Sequence, residues 1–341
     1  MKRFFRTMSL FISVSGIAAC NGEDRPAPVK VTFTIEAPLG ATRVQAPEPA
    51  DEQEALHWTL LLFREGKLLD YGISVSTGAI TRELERGDYE AWAVVNCPDG
   101  TFRPETVRTV QELGETVTDL ADNSLPGLLM TGSRSLRIPD DTDQGVQAIP
   151  VDRLVFKAGI RKISVRMDDP VLAARPFVLK AVYLTNCPRK SRFARDASAA
   201  DLSTDGDWAN PMGFRSDPSV DGLLADTGIG AAVASGSSHA VPHLFYGYPN
   251  PVGSAGDSRS RTAWTPRCTR IVIEAEVGGK TYYYPVTLPA TSRNRTYIAE
   301  EAIIRGLGSL DPEEEVSGAL EAVFSTSTEE WAPEYPINEQ S

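Results

Sequence analysis

Three histidines, four cysteines and a triplet of aspartates are the side chains in this sequence whose chemistry could define a site. His239 and His243 are four apart, the spacing at which two imidazoles on a helix share a metal ion, but Pro242 opposes the helix that would bring the rings together. Two loop histidines are therefore expected, with His57 elsewhere and no metal. Asp201, Asp205 and Asp207 around Gly206 offer the oxygen donors of a calcium loop without the spacing or closing glutamate of an EF-hand. Arg86-Gly87-Asp88 spells an integrin-type tripeptide, yet glycine and aspartate are also what a turn before a strand requires. Tyr282-Tyr283-Tyr284 falls in a strand, so its rings alternate between faces, and cross-strand packing accounts for them without a sugar platform. The sequence holds no Gly-rich phosphate loop, nucleophile elbow or paired cysteine ligands. No enzyme and no cofactor are expected.

Cys20 is the thiol whose role its neighbours make legible. Residues 1–19 carry Lys2, Arg3 and Arg6, then an apolar stretch over 8–17, then small residues, the three zones of a secretory signal. The stretch falls short of the roughly 20 residues that a bilayer span needs. Ile17-Ala18-Ala19-Cys20 has the pattern of a lipobox, in which the thiol receives a lipid, palmitate among its acyl chains, before cleavage leaves the modified cysteine first in the chain. Residues 20–27 would be a tether from an outer membrane, and Asn21 with Glu23-Asp24 is similar to a short acidic surface-export tag. The alternative is a soluble secreted protein in which Cys20 is discarded or free. Losing the three leader cations takes the formal charge from −12 to −15. Such a surface repels phosphate backbones, which excludes nucleic acid as a partner. Of the remaining cysteines, an odd number, Cys187 and Cys268 fall in one predicted unit and are the candidate disulfide. Unpaired, they and Cys97 read as small apolar core residues.

The elements that must position these residues are strands. Val29, Val31, Phe33 and Ile35 alternate with polar residues, the period of a strand with one buried face. Residues 38–54 are rich in Pro, Ala and acid and read as a loop. Residues 56–63 are continuously apolar, as in a strand buried on both faces, and Glu65-Gly66-Lys67 turns it into the next. Further strands are expected over 80–84, 89–95, 146–149, 154–165 and 177–184, with one helical pattern over 107–120 that Gly114 weakens. Residues 186–260, full of Gly, Ser, Asp and Pro, are expected to be mostly loop, and a loop of that length signals function or mobility. Residues 269–277, Gly278-Gly279 and 281–288 make the strongest hairpin in the chain. Strands over 297–304 and 320–326 complete the set. Many short strands parted by Gly and Pro argue for an all-β chain of two sandwiches in series. The halves echo each other in Asn96-Cys97-Pro98 and Asn186-Cys187-Pro188, each after an apolar strand.

The run Thr269-Arg270-Ile271-Val272-Ile273-Glu274-Ala275, then Gly279-Lys280-Thr281-Tyr282-Tyr283-Tyr284-Pro285-Val286, Arg293-Asn294-Arg295-Thr296-Tyr297, Gly306-Leu307-Gly308-Ser309-Leu310-Asp311-Pro312 and Trp331 resembles the C-terminal half of the Bacteroidales fimbrillins. Met130-Thr131-Gly132, followed by Val151-Asp152-Arg153 and Lys157, looks like their domain junction. Phe63 with Gly66-Lys67-Leu68, and Gly87-Asp88-Tyr89 leading to Val95-Asn96, look like their first domain. The resemblance implies two transthyretin-like Greek-key β-sandwich domains, here 28–158 and 159–341 with the long loop 186–260, in a lipoprotein that assembles into type V pili. It implies partners that are other fimbrial subunits, joined by strand exchange. A protease cuts after an arginine beyond the first strand, that strand leaves, and a neighbour's segment fills the groove. Mapped here, the exchanged strand carries Val29, Val31, Phe33 and Ile35, and the scissile bond is Arg43-Val44; read alone, Arg43 is equally an ordinary loop arginine. Residues 332–341, with Glu334, Glu339 and two prolines, are poor material for an apolar donor strand. That departure points to an accessory subunit, anchor or tip, over a stalk subunit. The alternative function is a surface lipoprotein that captures a glycan or host protein with the loops of residues 186–260.

Overall fold

The alternation at Val29, Val31, Phe33 and Ile35 becomes strand β1 (Val29–Glu36), because side chains two apart share a face and only one face of this strand meets a core. The computed structural model describes residues 28–36, 52, 54–75, 78–139, 145–253 and 265–325. In its first unit β1 is followed by β2 (His57–Arg64), β3 (Lys67–Val75), β4 (Ile80–Leu84), β5 (Gly87–Val95), β6 (Val117–Asp119), β7 (Met130–Ile138), β8 (Val146–Pro150) and β9 (Asp152–Arg153). One sheet has the order β4-β1-β8 and the other β3-β2-β5-β7-β9. Glu65 and Gly66, both at positive φ, form the two-residue turn between β2 and β3.

The continuously apolar β2 is buried on both faces, as its composition predicts. Trp58, Leu60 and Leu62, with Ala91, Ala93 and Val95 of β5, join Val31, Phe33, Ile80, Leu84 and Ile149 of the smaller sheet in one core. Leu61, Phe63, Trp92 and Val94 point the other way, into the core of the second unit. The five-stranded sheet is thus a wall shared by two cores.

The second unit holds β10 (Phe156–Ile160), β11 (Ile163–Val165), β12 (Phe177–Thr185), β13 (Cys187–Pro188), β14 (Lys190–Arg192), β15 (Trp208–Ala209), β16 (Ala225–Ala232), β17 (Ser237–His239), β18 (His243–Gly247), β19 (Arg270–Val277), β20 (Lys280–Thr287), β21 (Thr296–Ile304) and β22 (Leu320–Ser325). One sheet is β16-β12-β19-β20. In the other, β10 and β11 both pair in parallel with β21, β18 and β17 pair antiparallel with them, and β22 lies antiparallel to β21. The Gly278-Gly279 turn, both residues at positive φ, closes the β19–β20 hairpin in register Val277 to Lys280.

Two details depart from the sequence reading. Sheet membership changes between Arg153 and Phe156, so β10 lies whole in the second unit where the boundary near Ala158 would have split it. Leu154 and Val155 at the change are fully buried, and an apolar link inside a β pattern carries no turn signal. Residues 186–253 are also more built than a loop. β14 pairs with β6 of the first unit, β13 pairs with β15, and Phe193, Val220, Leu223 and Leu224 are anchored in the shared core. These anchors are few and irregularly spaced among polar and small residues, so no period betrays them.

Candidate strand-exchange site

β1 is the central strand of its sheet. Val29 to Phe33 pair antiparallel with Leu84 to Ile80 of β4, and Thr32 to Glu36 pair in parallel with Val146 to Pro150 of β8. Among the described residues β4 and β8 do not pair with each other, and β1 is the strand that bridges them. The pairing with β8 is flanked by Thr32 N–H donating to the Gly145 carbonyl at 3.4 Å and Val151 N–H donating to the Glu36 carbonyl at 3.2 Å. Val31 and Phe33 are fully buried, which contributes about 1.5–3 kcal/mol each, and Val29 and Ile35 pack half-buried at the core's margin. Taking β1 away would leave two unpaired backbone edges and an apolar floor between them, the features that invite a replacement strand.

Downstream the chain is pinned to the second unit. Glu52 is fully buried. Its carboxylate accepts from Lys157 Nζ at 2.8 and 2.9 Å and from the Tyr246 hydroxyl, and its carbonyl accepts from Arg153 Nε at 3.1 Å. Arg43 and Val44, the mapped scissile bond, lie outside the described residues, as does Cys20. In sequence they fall between β1, held by one sheet, and Glu52, held by the other unit.

Some of the residues that carry the family resemblance meet near the junction. At Gly132 a Cβ would stand 1.8 Å from the Pro150 carbonyl oxygen, so only glycine lets β7 pass β8 there. The Thr131 hydroxyl donates to the Phe193 carbonyl at 2.8 Å. Asn294, at positive φ, donates from Nδ2 to Asp152 Oδ1 at 2.7 Å, and Arg293 Nε pairs with Asp196 at 2.6 Å.

The Asn-Cys-Pro echo also has a structural meaning. Asn96 and Asn186 both take positive φ at the end of an apolar strand, a conformation that asparagine reaches more readily than other side-chain-bearing residues. Asn96 accepts from Leu56 N–H at 2.8 Å and donates to the Glu54 and Leu128 carbonyls at 2.7 and 3.0 Å. Asn186 accepts from Met212 N–H at 2.9 Å and donates to Cys268 O and Glu313 Oε1. Replacing Asn96 by Ala orphans these buried groups and adds backbone strain, so a loss of about 3 kcal/mol is expected, read as a lower urea midpoint.

The candidate Cys187–Cys268 disulfide is not formed. Cys97, Cys187 and Cys268 are buried and outside any disulfide. The Cys187 sulfur is turned into the core, lying close against Gly247 beside the Phe156 ring. Burial pushes the Cys187 thiol up to about 12, and burial aided by Asp122 and Asp99 pushes Cys97 up to about 12. Because the thiolate is the reactive form and all three side chains are buried, none should react with a thiol-specific chromophore at pH 7 in the folded protein, and all three should after unfolding in guanidinium.

The remaining candidates have structural partners. Asp201 pairs with Arg192 and Arg195 and is held below the usual carboxylate range, first by its hydrogen bonds with Ser198. Asp207 accepts from Thr204, leaving Asp205 exposed. Arg86-Gly87-Asp88 opens β5 with Gly87 at positive φ against Arg64. Tyr284 is buried, with its hydroxyl donating to Gly306 O, while Tyr283 lies on the opposite face, edge-on to Phe214. His57 donates from Nε2 to the Cys97 carbonyl at 2.9 Å. His239 and His243 are not a helical pair, yet their rings are stacked. No local pattern signals the Glu52, Lys157 and Tyr246 cluster, whose members are far apart in the chain.

This geometry defines an all-β protein of two paired-sheet units sharing a wall, with a strand buried on one face held between two neighbours that do not pair. It has the fold of the fimbrillins that its sequence resembles. No family model and no curated protein matches the chain, but solved structures do. A candidate cell adhesion protein from Bacteroides eggerthii superposes with a TM-score of 0.59 at 18% identity, covering 89% of this chain and 97% of that one. A fimbrilin from Porphyromonas gingivalis superposes with 0.58 at 15% identity over 87% and 96%. The tip fimbrial protein Mfa3 of the same species, solved with a C-terminal truncation, gives 0.51 at 14% over 87% and 98%.

Proposed function

We propose that this chain is a non-enzymatic subunit of a cell-surface fimbria, made as a lipoprotein attached to an outer membrane through Cys20 and joined to other subunits by β-strand exchange; cleavage after Arg43 would release Cys20 together with β1, whereas an anchor would keep both. The observation that carries the reading is the position of β1, a central, apolar strand whose two neighbours do not pair with each other. The shared fold with a fimbrilin and a tip fimbrial protein supports it. The composition of residues 332–341 supports an accessory place, anchor or tip, over a stalk place. The reading of residues 186–260 as ligand-capturing loops draws less support, because much of that stretch is tied down, for instance by the β14–β6 pairing and the buried Phe193.

The test is the N-terminal residue of the protein in fibres sheared from the source cells, together with self-association of the purified mature chain with and without trypsin. An accessory anchor should begin at lipidated Cys20, and a cleaved subunit at Val44. A protein missing from the fibre fraction that also stays monomeric after cleavage between β1 and Glu52 would overturn the proposal.

A further inference from the structure

We infer that strand β3 is a docking edge for a second copy of this chain, paired with it antiparallel about a two-fold axis. β3 (Lys67–Val75) is the outer strand of the five-stranded sheet. Asn96 N–H donates to the His57 carbonyl, so the odd-numbered residues of β2 bond towards β5 and the even-numbered ones towards β3. Leu60 and Trp58 stand opposite Gly72 and Ser74, which therefore use their backbone groups inside the sheet. The N–H and C=O groups of Tyr71, Ile73 and Val75 point the other way, off the edge. Arg82 Nη2 reaches one of them from outside, donating to the Tyr71 carbonyl at 2.9 Å.

The side chains of the same three residues form an apolar row. They stand opposite Leu61, Thr59 and His57 and share their face of the sheet. Leu61 is buried under the second unit, whereas Tyr71, Ile73 and Val75 are 37%, 63% and 81% exposed. An exposed apolar edge is a template for pairing, which sheets ordinarily block with charge, proline, bulges or brevity. Such guards stand at other edges. β4 carries Arg82 and Glu83, β9 has two residues, and the β12–β16 pairing is bulged between Leu179 and Ala181. β20 holds Pro285 and is bridged at Tyr283 by Ser309, and Pro242 falls in the break between β17 and β18. From Tyr71 to Val75, β3 has none of them, since its bulge and its charges, Lys67 and Asp70, come earlier in the strand. A second copy fits this edge by register and by charge. With Ile73 set against Ile73, Tyr71 faces Val75 and Gly72 faces Ser74, so outward backbone groups meet their complements and apolar side chains meet across the axis. The chain is strongly acidic, yet the paired stretch is uncharged and the carboxylate before it, Asp70, is held by Arg82 at 2.6 Å. Two identical acidic chains can therefore meet here without opposing like charges. A strand pair of this length buries less than the roughly 1,200 Å² of a stable interface, so the association is weak. β1 takes no part, because it lies in the other sheet.

The test is sedimentation equilibrium of the uncleaved, unlipidated mature chain under reducing conditions, where neither release of β1 nor a Cys20 disulfide contributes. A monomer–dimer equilibrium with a dissociation constant on the order of 100 µM is expected. The amide protons of Tyr71, Ile73 and Val75 should exchange more slowly as the concentration rises. Ile73→Lys sets two cations against each other on the axis and should weaken the dimer about 30-fold or more, with an unchanged circular dichroism spectrum because the side chain is exposed. Val75→Lys should act in the same direction, and Ile73→Val should leave the dimer intact. A chain still monomeric at roughly 1 mM, or a dimer that survives both lysine variants, would contradict the inference, and either result leaves the reading of β1 untouched.

Discussion

A chain shortened to begin at Val44 is expected to bind a synthetic peptide of residues 28–36, and the chain that retains β1 is not. The shortened protein loses the one strand that joins β4 to β8 and the fully buried Val31 and Phe33, so its apolar floor and two rows of backbone donors and acceptors become available together. The peptide restores both. A Phe33→Asp peptide would place a charge on that floor and should bind at least 100-fold more weakly, since burying an unpaired carboxylate costs several kcal/mol. Fluorescence anisotropy of a labelled peptide measures the difference. Equal binding by the two chains, or equal affinity for the two peptides, would show that β1 does not occupy a replaceable groove.

Lys157→Met should destabilise the protein by about 3–5 kcal/mol, the usual result of leaving one member of a buried ion pair without the other. Glu52 is fully buried, and Lys157 supplies its cation at 2.8 Å. The partner change Glu52→Leu, combined with Lys157→Met, should recover most of the loss, because removing both charges removes the need to solvate either. The pair also fastens the connector downstream of Arg43 to the second unit. The single variant should therefore be cut by protease on both sides of residue 52, whereas the unaltered chain should be cut only upstream. Chemical denaturation and mapping of limited-digestion fragments report the two effects.

Much of the fold could be read from local pattern. β1 shows itself by strict alternation, β2 by an apolar run too continuous for a one-sided strand, and the β19–β20 hairpin by two glycines able to take positive φ. The echo of Asn96 and Asn186 is visible in the letters, although its reason, a left-handed residue whose amide serves three backbone or side-chain groups, emerges only with the coordinates. What stayed hidden is what depends on distance along the chain. Glu52 and Lys157 are unremarkable letters until the fold sets them against each other. Phe193 and Trp208 are single apolar residues among Gly, Ser and Asp, so composition reported a loop where packing made a structured layer. The His239 and His243 rings meet because a strand is interrupted, and the i, i+4 rule, which speaks of helices, could not foresee that contact.

The wall between the two cores has a bearing on how such a molecule could be opened. Its Leu60 and Leu62 side feels the presence of β1, and its Leu61 and Phe63 side does not. Departure of the first strand therefore removes support from one flank only, and the opposite flank stays buttressed. Unfolding can then be partial, with amide protons of β4 and β8 exchanging early and those of β12 and β19 keeping the protection of the intact protein. A molecule arranged in this way can trade a strand at one end without surrendering the cooperativity of the rest.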